Sequence, residues 1–419
     1  MKILWFTNTP SLYDQGHHHY HGGGWIESLE ELVRDQKGID LAVSFFHKFD
    51  KEKIVKNRTT YFPILRNPKI INPFKVIINN WRGRFEDHVF DNKFLKIIND
   101  FKPDVIHVFG TEGPFSKIQM LTKVPVVIHV QGVLNPCLNS YYPVNQSDWS
   151  FVFNTSYLFN NLIGNSPNFE KKRFSTKAKR EQDFLSNAKF IMGRTNWDKM
   201  LAKLYNPNVQ YFHIDEVLRP VFYQIEFISK QHPDKRFKII STLSPTIYKG
   251  IDVILKTARQ LKKLTNIDFQ WEIIGLEKSS KLLKHFESTE KIMHQDVNII
   301  CRGRKKPEEM IELMQSTDVF VHPSYIDNSP NSVCEAQMLG LSVIACDVGG
   351  ISTLVQDGET GFLIPSNGVF ELTHYLIMLE GDKNLRKKIG QKAKHIALQR
   401  HNRDKIVADL LKVYSNLSR

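Results

Sequence analysis

Short β-rich runs alternate with helical patterns from one end of this chain to the other, and that alternation constrains its fold more than any other feature. Strand candidates are 2–6, 40–46, 104–109, 125–130 and 189–193, followed after a gap by 237–241, 270–274, 297–301, 318–322, 342–346 and 361–364. Several, such as PVVIHV, are continuous apolar runs, as strands buried on both faces require. Between them lie helical stretches; in GIDVILKTARQLKKL, Ile251, Ile254, Leu255, Ala258 and Leu261 fall on one face. Parallel strands each need a crossover, so the pattern predicts an α/β protein of doubly wound, Rossmann-like parallel sheets.

At 419 residues the chain is too long for one ordinary core, and two domains are expected. The alternation lapses in LRPVFYQIEFISKQHPDKR, 218–236, which carries two prolines and ends basic. The domain connection is placed there, giving domains 1–217 and 218–400, with a closing helical pattern at about 401–419 that packs back on the first. Two such domains would face a central cleft, with ligands at the carboxyl ends of their strands.

The formal charge is +13, from 57 basic and 44 acidic residues. Nucleic acid, an anionic membrane surface or an acidic small substrate would each account for it. No zinc-finger or RNA-recognition signature accompanies the basic residues, so no nucleic-acid partner is expected. Part of the excess is local: KKRFSTKAKR, 171–180, reads equally as a solvated helical face or as a contact with anionic lipid. It follows the aromatic stretch SDWSFVFNTSYLFNNLIG, 147–164, which either buries itself in the first domain or rests on a membrane. No apolar run of spanning length and no cleavable signal pattern occurs, and the four cysteines show no paired spacing. A cytoplasmic protein, peripheral at most on the inner face of the membrane, is expected.

Anion chemistry is concentrated in HPSYIDNSPNSVCEAQMLGLSVIACDVGG, 322–350. A strand ends, a turn follows, and a helix begins, with Ser329 as the expected N-cap and Pro330 at the first helical position. The amides near Asn331 and Ser332, at the positive end of the helix dipole, form an anion site. Glu335 lies one turn on, within reach of a hydroxyl beside that anion, and Gly340 closes the helix. In STLSPTIYKGIDVIL, Lys249 sits just before another helix, where an ammonium adds charge to a phosphate site. His129 ends a buried strand and is read as either a core residue or a cleft residue; His107, in VIHVFGTEG, is read as structural.

Near the N-terminus, QGHHHYHGGGW places Gly22, Gly23 and Gly24 between the first strand and a helical pattern, where bare backbone admits a diphosphate. A nicotinamide or flavin fingerprint fails there, because it would need glycine at Glu27. His17, His18, His19 and His21 are an alternative metal site, but no ordered carboxylate or cysteine partner is evident. Neither a metal nor a cofactor is expected.

Taken together, these motifs resemble the retaining glycosyltransferases of family four, which have the GT-B fold. The resemblance runs nearly end to end and is strongest from about 237 to 365. Its hallmark is two acidic residues separated by seven others and followed by a helix, a spacing that Asp327 and Glu335 keep. DVGGISTLVQDGETGFLIP, the Lys249–Gly250 pair, HVQG from His129, GRTNWDK from Gly193 and the early glycine loop fall in family order. The resemblance implies an N-terminal acceptor-side domain and a C-terminal nucleotide-sugar domain. It implies transfer of a sugar from a nucleoside-diphosphate donor to a glycan or lipid-linked acceptor, without a metal, in cell-surface polysaccharide or glycolipid assembly.

By the same resemblance Glu335 would hold the ribose hydroxyls, Lys249 would neutralise the diphosphate, and the amides of Ser329, Pro330's neighbours Asn331 and Ser332 would bind it or the donor sugar. Asp327 would contact the transferred sugar, His129 would reach the donor, and Gly23 and Gly24 would lie against the diphosphate or the acceptor. Three positions depart from the pattern: Asp327 replaces the usual Glu, Thr242 stands where an Arg is common, and Ile351, Ser352 and Thr353 occupy a region that usually holds a Glu. A non-catalytic sugar-nucleotide-binding or membrane-associated assembly protein on the same fold is the alternative.

Overall fold

One strand shows how the first sheet serves two cores: Ile3 and Trp5 face one side, Leu4 and Phe6 the other, and all four are fully buried. The structure, a computed structural model, describes residues 1–14, 24–66, 73–83, 87–225 and 236–418. Two compact units emerge from the contacts, one formed by residues 1–138, 169–219 and 401–419, the other by 139–168 and 220–400.

The sheet of the first unit comprises β1 (Lys2–Thr7), β2 (Asp40–His47), β3 (Ile54–Lys56), β4 (Thr59–Leu65), β5 (Val105–Phe109), β6 (Val126–His129), β7 (Phe190–Gly193) and β8 (Gln210–His213). Their order is β3-β4-β2-β1-β5-β6-β7-β8, parallel except for the β3–β4 pair. One face is covered by the helix Gly24–Arg34, through Trp25, Ile26, Leu29 and Val33, and by the C-terminal helix Arg403–Leu417, through Ile406, Leu410, Val413 and Tyr414. Each such side chain taken out of water contributes roughly 1.5–3 kcal/mol, which is why the amphipathic pattern decides where these helices lie.

The second sheet comprises β9 (Phe237–Thr242), β10 (Phe269–Ile274), β11 (Ile299–Gly303), β12 (Val319–His322), β13 (Ser342–Cys346) and β14 (Phe362–Ile364), in the order β11-β10-β9-β12-β13-β14 and wholly parallel. The strands expected from sequence are all present, with ends shifted by a residue or two. Three were not expected. β3 and β8 are short and have few buried residues, and β4 carries Pro63, which cannot donate to a ladder.

The aromatic segment 139–168 departs from the expected 1–217 domain, because it clusters with the second unit. Its buried Phe151 stacks on His285, with ring centroids 4.1 Å apart, and that contact holds the segment to the helix Lys281–Glu290. Residues 226–235 of the expected connection lie outside the described residues.

Candidate functional site

In the second sheet the chain reverses its winding between β9 and β12, and loops at the carboxyl ends of such a pair diverge to leave room for a ligand. Both strands feed the candidate site. After β9 comes the loop to Lys249 and Gly250, then the helix Ile251–Leu264. After β12 comes 323–330, then the helix Asn331–Met338.

Gly250 has φ +78°, and a Cβ there would stand 2.1 Å from the Pro323 carbonyl oxygen, so only glycine lets the two loops approach this closely. The approach is fixed by the Tyr325 N–H donating to the Tyr248 carbonyl at 2.9 Å. Beneath it the buried Tyr325 hydroxyl donates to Asp252 at 2.7 Å, and Lys256 donates to the same carboxylate at 3.0 Å. Gly349, at φ +58°, packs against the Asp327 carbonyl, which accepts from the Gly350 N–H at 3.1 Å.

These contacts aim three side chains at one another. Lys249 Nζ donates to Asp327 Oδ2 at 2.5 Å, and His322 Nε2 lies 3.0 Å from the same oxygen. Burial alone would raise the Asp327 carboxyl, but Lys249 and His322 outweigh it and hold the group well below the usual carboxylate range. A cation and an anion are therefore positioned together before any ligand arrives. His322 Nδ1 and Thr242 Oγ1, at the ends of β12 and β9, are buried and have no hydrogen-bond partner among the described residues.

Pro330, with φ −70° and ψ 118°, is the N-cap of Asn331–Met338; Ser329, expected in that role, lies one residue earlier. The helix's first backbone bonds run from Val333 and Cys334 to the Pro330 carbonyl, so the amides of Asn331 and Ser332 precede the intrahelical ladder. Glu335 is buried on this helix. At the other end Gly340, at φ +78°, and Leu341 donate to the Gln337 and Ala336 carbonyls and end the helix with a left-handed turn.

In the first unit the reversal falls between β1 and β5. The helix after β1 begins at Gly24, whereas Gly22, Gly23, His17, His18, His19 and His21 lie outside the described residues. His129 ends β6, fully buried, 5.4 Å from the His107 ring and 5.3 Å from the Trp25 ring. Burial first, then the neighbouring His107, Arg194 and His213, push it well below the ordinary histidine range, so the ring is neutral. Neither of its nitrogens has a partner among the described residues, whereas His107 Nδ1 meets the Tyr414 hydroxyl at 2.6 Å and so ties the C-terminal helix to β5.

GRTNWDK folds as a cap: the Asp198 carboxylate accepts from the Arg194 and Thr195 N–H groups at 2.8 and 3.1 Å. Arg194 donates to the Gln131 carbonyl at 3.0 Å and lies over the Trp25 ring. Of the six basic residues in 171–180 only Lys172 and Lys179 are exposed. Arg180 donates to the Glu112 carbonyl at 2.6 Å.

Sequence reasoning gave no role to His322 or to Glu181. The signal for His322 is the one that marked His129, a histidine ending a buried strand. Glu181, on the helix Pro167–Asn187, had no such signal; it accepts from the Leu134 N–H at 2.6 Å and from Asn135, and so holds the loop that follows His129.

Residues 223–396 match the family model of glycosyl transferases group 1. The chain is 23% identical to an uncharacterized glycosyltransferase of Methanocaldococcus jannaschii, over 80% of this chain and 95% of that one. It is 29% identical to a putative colanic acid biosynthesis glycosyltransferase of Salmonella typhimurium, over 33% of this chain and 35% of that one. Several other curated relatives are likewise matched over less than half their length. Among solved structures, HepE of Anabaena in complex with UDP and glucose superposes with a TM-score of 0.65 at 14% identity, covering 99% of this chain and 99% of that one. The two α/β units thus have the GT-B fold.

Proposed function

Since residues 223–396 are a glycosyl transferases group 1 domain, we propose that the chain transfers a sugar from a nucleoside-diphosphate donor to an acceptor hydroxyl, with retention of the anomeric configuration. The observation that carries this reading is the Lys249–Asp327 contact at the winding reversal of the second sheet. As the bond to the sugar breaks, negative charge develops on the departing diphosphate, and a fixed cation beside oriented amides stabilises it. Lys249 supplies the cation and the amides of Asn331 and Ser332 the dipoles, so the step requires no metal.

Glu335 holds the ribose hydroxyls, and Ser329 and Pro330 shape the loop that admits the donor. Asp327, positioned by His322, accepts hydroxyl groups of the transferred sugar. Thr242, lacking the charge of an arginine, leaves the phosphates to Lys249. His129, neutral and without a partner among the described residues, offers one donor and one acceptor of the kind that a sugar hydroxyl needs. The family resemblance gives Gly23 and Gly24 a place against the diphosphate or the acceptor, and Gly23 lies outside the described residues. The Salmonella relative's name, a putative colanic acid biosynthesis glycosyltransferase, supports a glycan or glycolipid acceptor.

A panel of nucleoside-diphosphate sugars tests the reading through the nucleotide released with and without simple glycosides. Lys249→Ala and Glu335→Ala should each lower release at least about tenfold, and unchanged turnover in both would remove the assignment.

A further inference from the structure

The segment 139–168 carries a run of large apolar side chains in water. Trp149, Phe153, Leu158, Phe159 and Leu162 are 66%, 76%, 56%, 68% and 69% exposed. Trp149 and Phe153 lie on and just after the short helix Asp148–Val152, and the other three on Leu158–Leu162; the other side of both helices is firmly held. Phe151 and Tyr157 are buried, and the buried His285 lies 2.9 Å from Asn154 Nδ2 and 2.8 Å from Gln146 Oε1. Asn161 Nδ2 donates to the carbonyls of Phe151 and Val152, both at 3.2 Å, which fixes the second helix against the end of the first. Trp149 and Phe153 stack with centroids 5.7 Å apart. An ordered strap with one anchored side and one hydrocarbon side is a surface made to be covered.

Charge and side-chain type indicate what covers it. Residues 139–168 contain no Lys or Arg and one acid, Asp148, which accepts from the Tyr142 hydroxyl at 2.5 Å. The helix beneath is cationic at the exposed positions of its first turn: Lys281 donates to Asn160 at 2.6 Å, and Lys284 follows one turn on. The basic stretch 171–180, by contrast, spends most of its side chains on internal contacts. A glycan would call for many hydrogen-bonding groups among the rings, whereas the exposed polar residues of 140–168, Asn145, Ser147, Asp148, Thr155 and Asn165, are short beside its five large apolar side chains. A second copy paired face to face would oppose lysine to lysine.

We propose that the strap is an interfacial membrane contact, with Trp149, Phe153, Leu158, Phe159 and Leu162 entering the headgroup–acyl boundary of an anionic bilayer and the lysines meeting its headgroups. This deepens the transfer reading. The membrane contact stands on the strap alone, while the conclusion that the acceptor is carried on a lipid rests on that reading.

The test is co-sedimentation of the full chain with phosphatidylcholine vesicles, with and without phosphatidylglycerol. The comparison is with W149S/F153S and, separately, L158S/L162S, exposed changes that leave the buried anchors intact. The wild-type chain should bind the anionic vesicles, and each double variant should lose at least about tenfold in partition. Wild-type binding retained by both variants, no wild-type binding, or strap-dependent dimerisation without vesicle binding overturns the proposal. A shift of Trp149 emission by soluble glycans in place of vesicles does so too. Thermal stabilisation by nucleoside diphosphate, measured on the same variants, keeps the two readings apart: its loss in the wild-type chain removes the transfer reading and leaves the membrane contact standing.

Discussion

Lys249 Nζ and Asp327 Oδ2 stand 2.5 Å apart at the carboxyl ends of neighbouring strands β9 and β12, and the same carboxylate oxygen lies 3.0 Å from His322 Nε2. The carboxylate holds the ammonium in place, and a ligand that brings its own negative charge has to share that ammonium with Asp327, so orientation of the cation is gained against some repulsion.

Replacing Lys249 by Ala leaves the Asp327 carboxylate with His322 and the Asn328 N–H. Because the folded carboxyl lies below its unfolded value, its contribution to stability is present above the unfolded value and is lost as pH falls through the folded one. Denaturant unfolding should find Lys249→Ala about 2 kcal/mol less stable than wild type at neutral pH, the scale of one charge-assisted hydrogen bond, with the gap narrowing in acid. An equal gap at both would mean that the pair is not electrostatic in origin.

Gly250 and Gly38 share nearly the same backbone angle, φ +78° and +76°, but only Gly250 faces an obstacle, the Pro323 carbonyl. Gly38→Ala should cost about 1 kcal/mol from the backbone angle alone, and Gly250→Ala distinctly more, with weakened nucleotide binding. Equal costs would show that the loops relax freely.

Burial pushes the Glu181 carboxyl up to about 7, against an ordinary 4.5, although it accepts bonds from Thr111, Leu134 and Asn135. The folded state therefore keeps a proton that the unfolded chain has released. This contribution is fully present below about pH 4.5 and disappears as pH rises through about 7. Glu181→Gln should flatten stability across that window, read from urea midpoints at several pH values; an unchanged slope would contradict the assignment.

Burial holds His285 down to about 4, and the ring is neutral where it meets Gln146 and Asn154. Unfolded histidine takes up its proton near 6.5, so stability from this group is lost as pH falls from there to about 4. Limited proteolysis within 142–162 should accelerate over that range, and His285→Gln should raise cleavage at neutral pH. Cleavage indifferent to both would mean that the strap is held elsewhere.

The parallel sheets were legible because strands buried on both faces announce themselves as apolar runs, from ILWF in β1 to SVIAC in β13. β3, β4 and β8 were not: two are short, little-buried strands, and β4 contains a proline. The acidic spacing and the Lys–Gly pair pointed to the candidate site, but His322 went unassigned although it ends a buried strand as His129 does, because that position does not separate ligand from support. Nothing local could show that 139–168 leaves its sequence neighbours, since its anchor, His285, arrives only much later in the chain. The helix start was misplaced by one residue because serine and proline both suit that boundary.

The central claim is a nucleoside-diphosphate cradle built on Lys249, the Asn331–Ser332 amides and Glu335. Thermal unfolding of the full chain with UDP, GDP, ADP and CMP in EDTA tests it most directly. A ligand at about 100 times its Kd adds about 2.7 kcal/mol, so one nucleoside diphosphate should raise Tm. Its 2′,3′-dideoxy analogue should do less, and Glu335→Ala should erase that difference. No shift with any nucleotide, or an undiminished preference for ribose in Glu335→Ala, would contradict the account.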